Sequence, residues 1–128
     1  MKEIVVSVDA APPAKDGGKS IRSRDHRDYA LVVALREAMA RTMATQDAFE
    51  GVPVAMELRV VRARCRADGL NLINGVSDVI QRRCNTPAYA HDVWVLDDDA
   101  NVREFHYYEE PGDRDSYQVT IRQLRCSE

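Results

Sequence analysis

Ile4, Val6 and Val8 alternate with Val5 and Ser7, the period of two expected of a first strand. The next segment, Ala11-Pro12-Pro13-Ala14-Lys15-Asp16-Gly17-Gly18-Lys19, carries two prolines and two glycines and predicts a loop. Val32, Leu35, Met39 and Met43 then recur at helical spacing, with Ser23 or Asp25 placed to cap a helix of about twenty residues. From Val52 to Ala63, Val54, Met56, Leu58 and Val60 face one way and Pro53, Ala55, Glu57 and Arg59 the other, the pattern of a second strand. Pro53 belongs at an edge or at the beginning of that strand. Leu72, Val76 and Val79 make the apolar stripe of a second helix, while Asn71, Asn74 and Asp78 share a polar stripe. The apolar run Val93-Trp94-Val95-Leu96 predicts a short strand. Val102 to Glu109 and Tyr117 to Leu124 predict a terminal hairpin turning through Pro111-Gly112.

At 128 residues with 45% hydrophobic content, the chain is sized for a single domain, 1–128, with one core. It opens Met1-Lys2-Glu3-Ile4-Val5-Val6, without a long apolar run, so a cytoplasmic chain with no membrane span is expected. Cys65, Cys84 and Cys126 are odd in number and lack CxxC spacing, which supports neither a disulfide framework nor a zinc ribbon. His26, His91 and His106 are scattered, without ligand spacing. Trp94 and Tyr107 suit the core or a subunit contact.

The net charge of −3 argues against a generic nucleic-acid coat, yet charge separates along the chain. Lys15, Lys19, Arg22, Arg24 and Arg27 outweigh Asp16 and Asp25, and Arg59, Arg62, Arg64 and Arg66 form a stretch with no acid. Beyond Asp92 the balance inverts. Two acidic islands stand out: Asp68, opening the second helix that also carries Asp78, and Asp97-Asp98-Asp99 after the apolar run. Three adjacent carboxylates repel one another and call for a cation or an arginine. Two or three aspartates converging from different elements suffice for Mg²⁺, which retains waters and can orient one for attack on a phosphodiester. Aspartate is equally the usual cap and turn residue, and either island can be no more than that.

Asp68-Gly69-Leu70-Asn71-Leu72-Ile73-Asn74-Gly75-Val76-Ser77-Asp78, followed by Asp98-Asp99-Ala100-Asn101-Val102, resembles the RusA family of Holliday-junction resolvases. That family reads roughly D-x-D-N-L-x-K-x-x-x-D-x-L, then an apolar run, D-D-x-Q-V and a terminal β-hairpin. The resemblance covers nearly the whole chain, including the Pro-Pro step after the first strand. It departs at two positions: Leu70 stands where the family has a metal-binding aspartate, and Asn74 where it has a catalytic lysine. Leucine cannot ligate a metal, and asparagine carries no charge.

The resemblance implies an α+β fold, a small mixed β-sheet with two helices and a C-terminal β-hairpin. It also implies a homodimeric endodeoxyribonuclease of recombination and repair acting on branched DNA with Mg²⁺ or Mn²⁺. Asp68 and Asp99 would be the catalytic residues, with Asp68, Asp98 and Asp99 as metal ligands. Lys15, Lys19, Arg22, Arg24 and Arg66 would hold phosphates, and Lys15, Lys19 or Arg66 could replace the missing helix cation. Two alternatives stay open. One is a catalytically impaired relative that still binds DNA, and the other is an unrelated α+β interaction module.

Overall fold

The computed structural model describes residues 2–15, 19–87, 89 and 91–124. Met1, Asp16, Gly17, Gly18 and Cys126, named above, lie outside the described residues. The elements run β1 (Glu3–Val8), α1 (Tyr29–Met43), β2 (Val54–Arg62), α2 (Gly69–Ile80), β3 (Val102–Pro111) and β4 (Ser116–Gln123). The architecture is α+β, with one four-stranded mixed sheet in the order β1-β4-β2-β3.

β1 buries Ile4, Val6 and Val8 and exposes the residues between them, as its alternation predicts. Central β2 buries Val54, Met56, Leu58 and Val60, and these join Tyr117, Val119 and Ile121 of β4 and the apolar stripes of α1 and α2 in one core. Pro53 directly precedes β2, where its missing N–H costs no ladder bond. β4 runs antiparallel to both β1 and β2, whereas β2 and β3 are parallel. The C-terminal pair β3–β4 forms the expected hairpin in its chain path, and β2 is threaded between the two arms, so each bonds to β2. The turn crosses the end of β2, where Gly112 N–H donates to the Arg62 carbonyl at 3.0 Å. Asp115 secures the crossing by accepting from the N–H groups of Ala63, Arg64 and Cys65 at 2.7, 3.0 and 3.1 Å. Burial pushes the Asp115 carboxyl up, but those three donors and the Arg64 charge outweigh it and hold the pKa below the ordinary range.

Three expectations are corrected. α1 has 15 residues and starts at Tyr29, because residues 20–28 close successive turns in which the N–H groups of Ser23, His26 and Tyr29 donate to carbonyls three residues earlier. Neither Ser23 nor Asp25 caps it. Asp28 occupies the cap position, and its carboxylate is turned to the Ala14 N–H at 2.8 Å instead. Val93–Leu96 is not a sheet strand: Leu96 makes only isolated bridges to Phe49 and Gln81, and Val95 N–H donates to the carbonyl of Ile80, the last residue of α2. Val93, Val95 and Leu96 are buried where the run meets the end of α2, an environment a short apolar run satisfies as well as a sheet does.

The loop after β1 lies directly on α2. Lys15 N–H donates to the Asn71 carbonyl at 3.0 Å, and a Cβ on Gly75 would fall 2.0 Å from the Pro13 carbonyl oxygen. Gly75→Ala is therefore expected to destabilise by about 1 to 3 kcal/mol, since backbone must shift to admit one methyl group. Urea denaturation checks this. A stability equal to or above wild type, as helix propensity alone would favour, would contradict the packing.

Candidate acidic site and basic surface

Each island is organised by its own local bonds. Asp68 caps α2, accepting from Asn71 N–H at 2.9 Å and from the Asn71 side-chain amide at 3.3 Å. Asp97 staples two loops: one carboxylate oxygen accepts from Gly51 N–H at 2.9 Å, and the other from Asp98 N–H and the Asn101 amide at 2.9 and 3.0 Å. Gly51 sits at φ 65°, a backbone region that favours glycine and turns its N–H to this staple. Asp98 accepts from Ala100 N–H at 2.9 Å, capping the short 3₁₀ turn Asp99–Asn101. Asp99 lies beside Arg83, 3.9 Å away, and its N–H donates to the Gln81 side chain at 3.1 Å.

These contacts place the islands at opposite ends of α2. Asp68 precedes its first residue, next to Gly69, where a Cβ would meet the Tyr107 ring at 3.1 Å, beyond the middle of β3. Asp99 is bonded to Gln81, just past the helix's last residue, and opens the 3₁₀ turn that leads into β3. Thirteen residue steps of helix from Asp68 to Gln81 amount to about 20 Å at about 1.5 Å each. A Mg²⁺ ion with ligand bonds near 2.1 Å cannot be shared across that gap. The expected ligand set Asp68, Asp98 and Asp99 thus does not fit one ion within a chain. Among the described residues no group of three His, Cys, Asp or Glu side chains could hold a metal. The second island instead faces a groove of about 490 Å³ that Arg82, Arg83, Asn85, Asp92 and Trp94 also line, so both charge signs meet there.

The helix positions tell the same story. Leu70, where the resemblance expects a carboxylate, is 73% exposed in the first turn, and Asn74 is exposed too. Asp78 is buried, with Lys15 Nζ 2.9 Å away and the Gln81 amide at 3.5 Å. Lys15 does stand against α2 as a substitute cation, but its partner is this structural carboxylate. Of the other phosphate-binding candidates, Arg66 is exposed on the β2–α2 connection. Lys19 is exposed 4.0 Å from Asp25, Arg22 is half-buried, and Arg24 reaches the Pro87 carbonyl at 3.4 Å. They span two regions, the start of α2 and the approach to α1.

Two residues that sequence reasoning passed over do much of the positioning. Gln81 is fully buried and links Asp99 to Asp78. Arg62 belongs to the arginine-rich stretch but turns inward: it donates to the Ala67 carbonyl at 2.6 Å and the Tyr107 hydroxyl at 3.1 Å, and lies 3.0 Å from Glu109. Tyr107 in turn donates to Glu109 at 2.8 Å, and this bond, with Arg62, holds the Glu109 carboxyl below its ordinary range. The signal available for Arg62 was its place inside an alternating strand, on the same face as core positions. His26 also proves structural, accepting from Asp28 N–H at 3.0 Å. Trp94 is half-buried beneath the Arg82 guanidinium, 5.1 Å from the ring centre.

If Asp68 acts as a cap, Asp68→Ala should lower stability by about 1 kcal/mol and Asp68→Asn by much less, because asparagine caps equally well. Thermal or urea unfolding without divalent metal measures both. Equal losses in the two variants would show that the charge, and not the cap, is what the fold uses. No protein-family model matches the chain, and no curated protein matches it either.

Proposed function

We propose that this chain is a RusA-like protein that binds branched DNA as a homodimer in the cytoplasm and is impaired in metal-dependent cleavage. One observation carries the second half: α2 holds Asp68 and Asp99 at its two ends, the Asp68 carboxylate occupied as the helix cap and the Asp99 backbone tied to Gln81. Leu70 and Asn74 support it from the sequence, since the resemblance expects a metal ligand and a cation there. The DNA reading is supported by the motif spacing and by the exposed basic side chains Arg64 and Arg66 ahead of α2, with Lys19 and Arg24 beyond the first loop. Such groups bind phosphates without reading sequence, and their contribution falls as salt rises.

No helix among the described residues is long and apolar enough to cross a membrane. With Mg²⁺ or Mn²⁺ left without a converging ligand set, the protein's own residues would serve to position and hold the junction.

The test is a gel-shift titration of a four-way junction and a linear duplex at graded salt, with nicking followed in Mg²⁺ and in Mn²⁺. The expected result is preferred junction binding that weakens steeply with salt, no nicking, and a salt slope reduced by about 1 in Arg66→Ala. Nicking abolished by Asp99→Asn would overturn the impairment and restore a metal-dependent endonuclease. Absence of binding at low salt would overturn the DNA reading and leave an α+β interaction module.

A further inference from the structure

Arg36 lies on the buried side of α1 and is 1% exposed. Burying a guanidinium requires a compensating charge or a full set of acceptors. Neither is complete here. Nη2 donates to the Asn85 side-chain oxygen and the His91 carbonyl, and the guanidinium lies 4.8 Å from the centre of the Tyr89 ring. Among the described residues, Nε and Nη1 are buried without a hydrogen-bond partner. Among the described residues no carboxylate pairs with Arg36. Cys84 does not supply the missing charge, because burial pushes its thiol up more strongly than Arg36 and Arg22 pull it down.

The same arginine forms part of the wall of a cavity of about 330 Å³, together with Arg24, Tyr29, Tyr89, His91 and Glu37. Tyr29 and Tyr89 stack at 5.6 Å between ring centres, and the Tyr89 hydroxyl donates to the Ile21 carbonyl at 3.0 Å, so that wall is braced. The volume is at the small end for organic ligands. Two arginines and an imidazole against one exposed carboxylate make it a site for an anion.

We propose that this cavity binds the phosphate group of a small organic phosphate, with Arg36 as the buried charge partner and Arg24 as the one at the mouth. Phosphate is favoured over a single carboxylate because its larger negative charge answers the buried Arg36 charge, while its oxygens can accept from Arg24 and His91 at the open side. Glu37 lies where it can receive a donor from the organic part of the ligand. The inference does not depend on the DNA reading: it rests on this half-open cavity and the buried Arg36 behind it, and of its residues Arg24 alone is shared with the exposed basic surface.

Thermal shift and calorimetry on the full chain test it, with inorganic phosphate, a nucleoside 5′-monophosphate and the uncharged nucleoside as probes at matched ionic strength. The expected result is stabilisation by both phosphates and none by the nucleoside, with the affinity reduced about tenfold or more in Arg24→Ala. Arg24 is exposed, so that variant should keep the wild-type melting temperature without ligand. Arg36→Met tests the buried partner: it keeps the length and removes the charge, and should weaken phosphate binding. No stabilisation of the wild type at about 10 mM phosphate or monophosphate, or equal shifts in wild type, Arg24→Ala and Arg36→Met, would overturn the proposal.

Discussion

The parallel pairing of β2 with β3 is the constraint from which the rest of the arrangement follows. Parallel neighbours cannot be joined by a tight turn, and the chain must travel back along the sheet before the second strand begins. Here α2 makes that return, so its start lies at the far end of β2 and its finish at the beginning of β3. Any residue just before α2 and any residue just before β3 are thereby set a helix length apart. Asp68 and Asp99 are those residues.

The helix that separates them is fixed from several sides. The Pro12–Lys15 segment lies across it so closely that position 75 has room only for hydrogen, and the Lys15 side chain reaches the buried Asp78. At its start, Arg62 ties the β2–α2 connection to Tyr107 and Glu109 on β3. At its finish, Gln81 receives Asp99, and Leu96 bridges the backbone. The pair joins an exposed Lys15 ammonium to a buried Asp78 carboxylate and contributes little net stability, because solvent screens the lysine, but it fixes which face of α2 meets the loop. Moving the acidic islands together would require breaking all of these contacts, which makes their separation a property of the fold and not of a side-chain rotamer.

Elements with strong local signals were legible in the chain. β1, β2 and α2 declare themselves through alternation or helical spacing, and Asp68 through its place ahead of Leu72 and Val76. What was not legible depended on distant partners. Nothing local in Val102–Pro111 or Ser116–Gln123 tells that β2 will be threaded between them, since hairpin signals describe the turn and not the neighbour. Val93–Leu96 has the composition of a strand but finds its burial beside the end of α2. Residues 20–28 could have prolonged α1, but serial turns and the capture of Asp28 by Ala14 stop the helix at Tyr29. The acidic spacing was visible; the direction of the intervening helix was not. Arg36 offered a readable clue, because it follows Val32 by four residues and precedes Met39 by three, which puts a charge within an apolar stripe.

The central claim is that one chain cannot bring its two acidic islands to a single ion. Anomalous diffraction from crystals grown with Mn²⁺ tests it most directly, because the ion and the carboxylates appear in one map. No Mn²⁺ is expected bonded to both Asp68 and Asp99 of the same chain, and their carboxylates should be separated by a helix length, about 20 Å. A Mn²⁺ peak bonded at about 2.1 Å to carboxylate oxygens of both residues within one chain would contradict it.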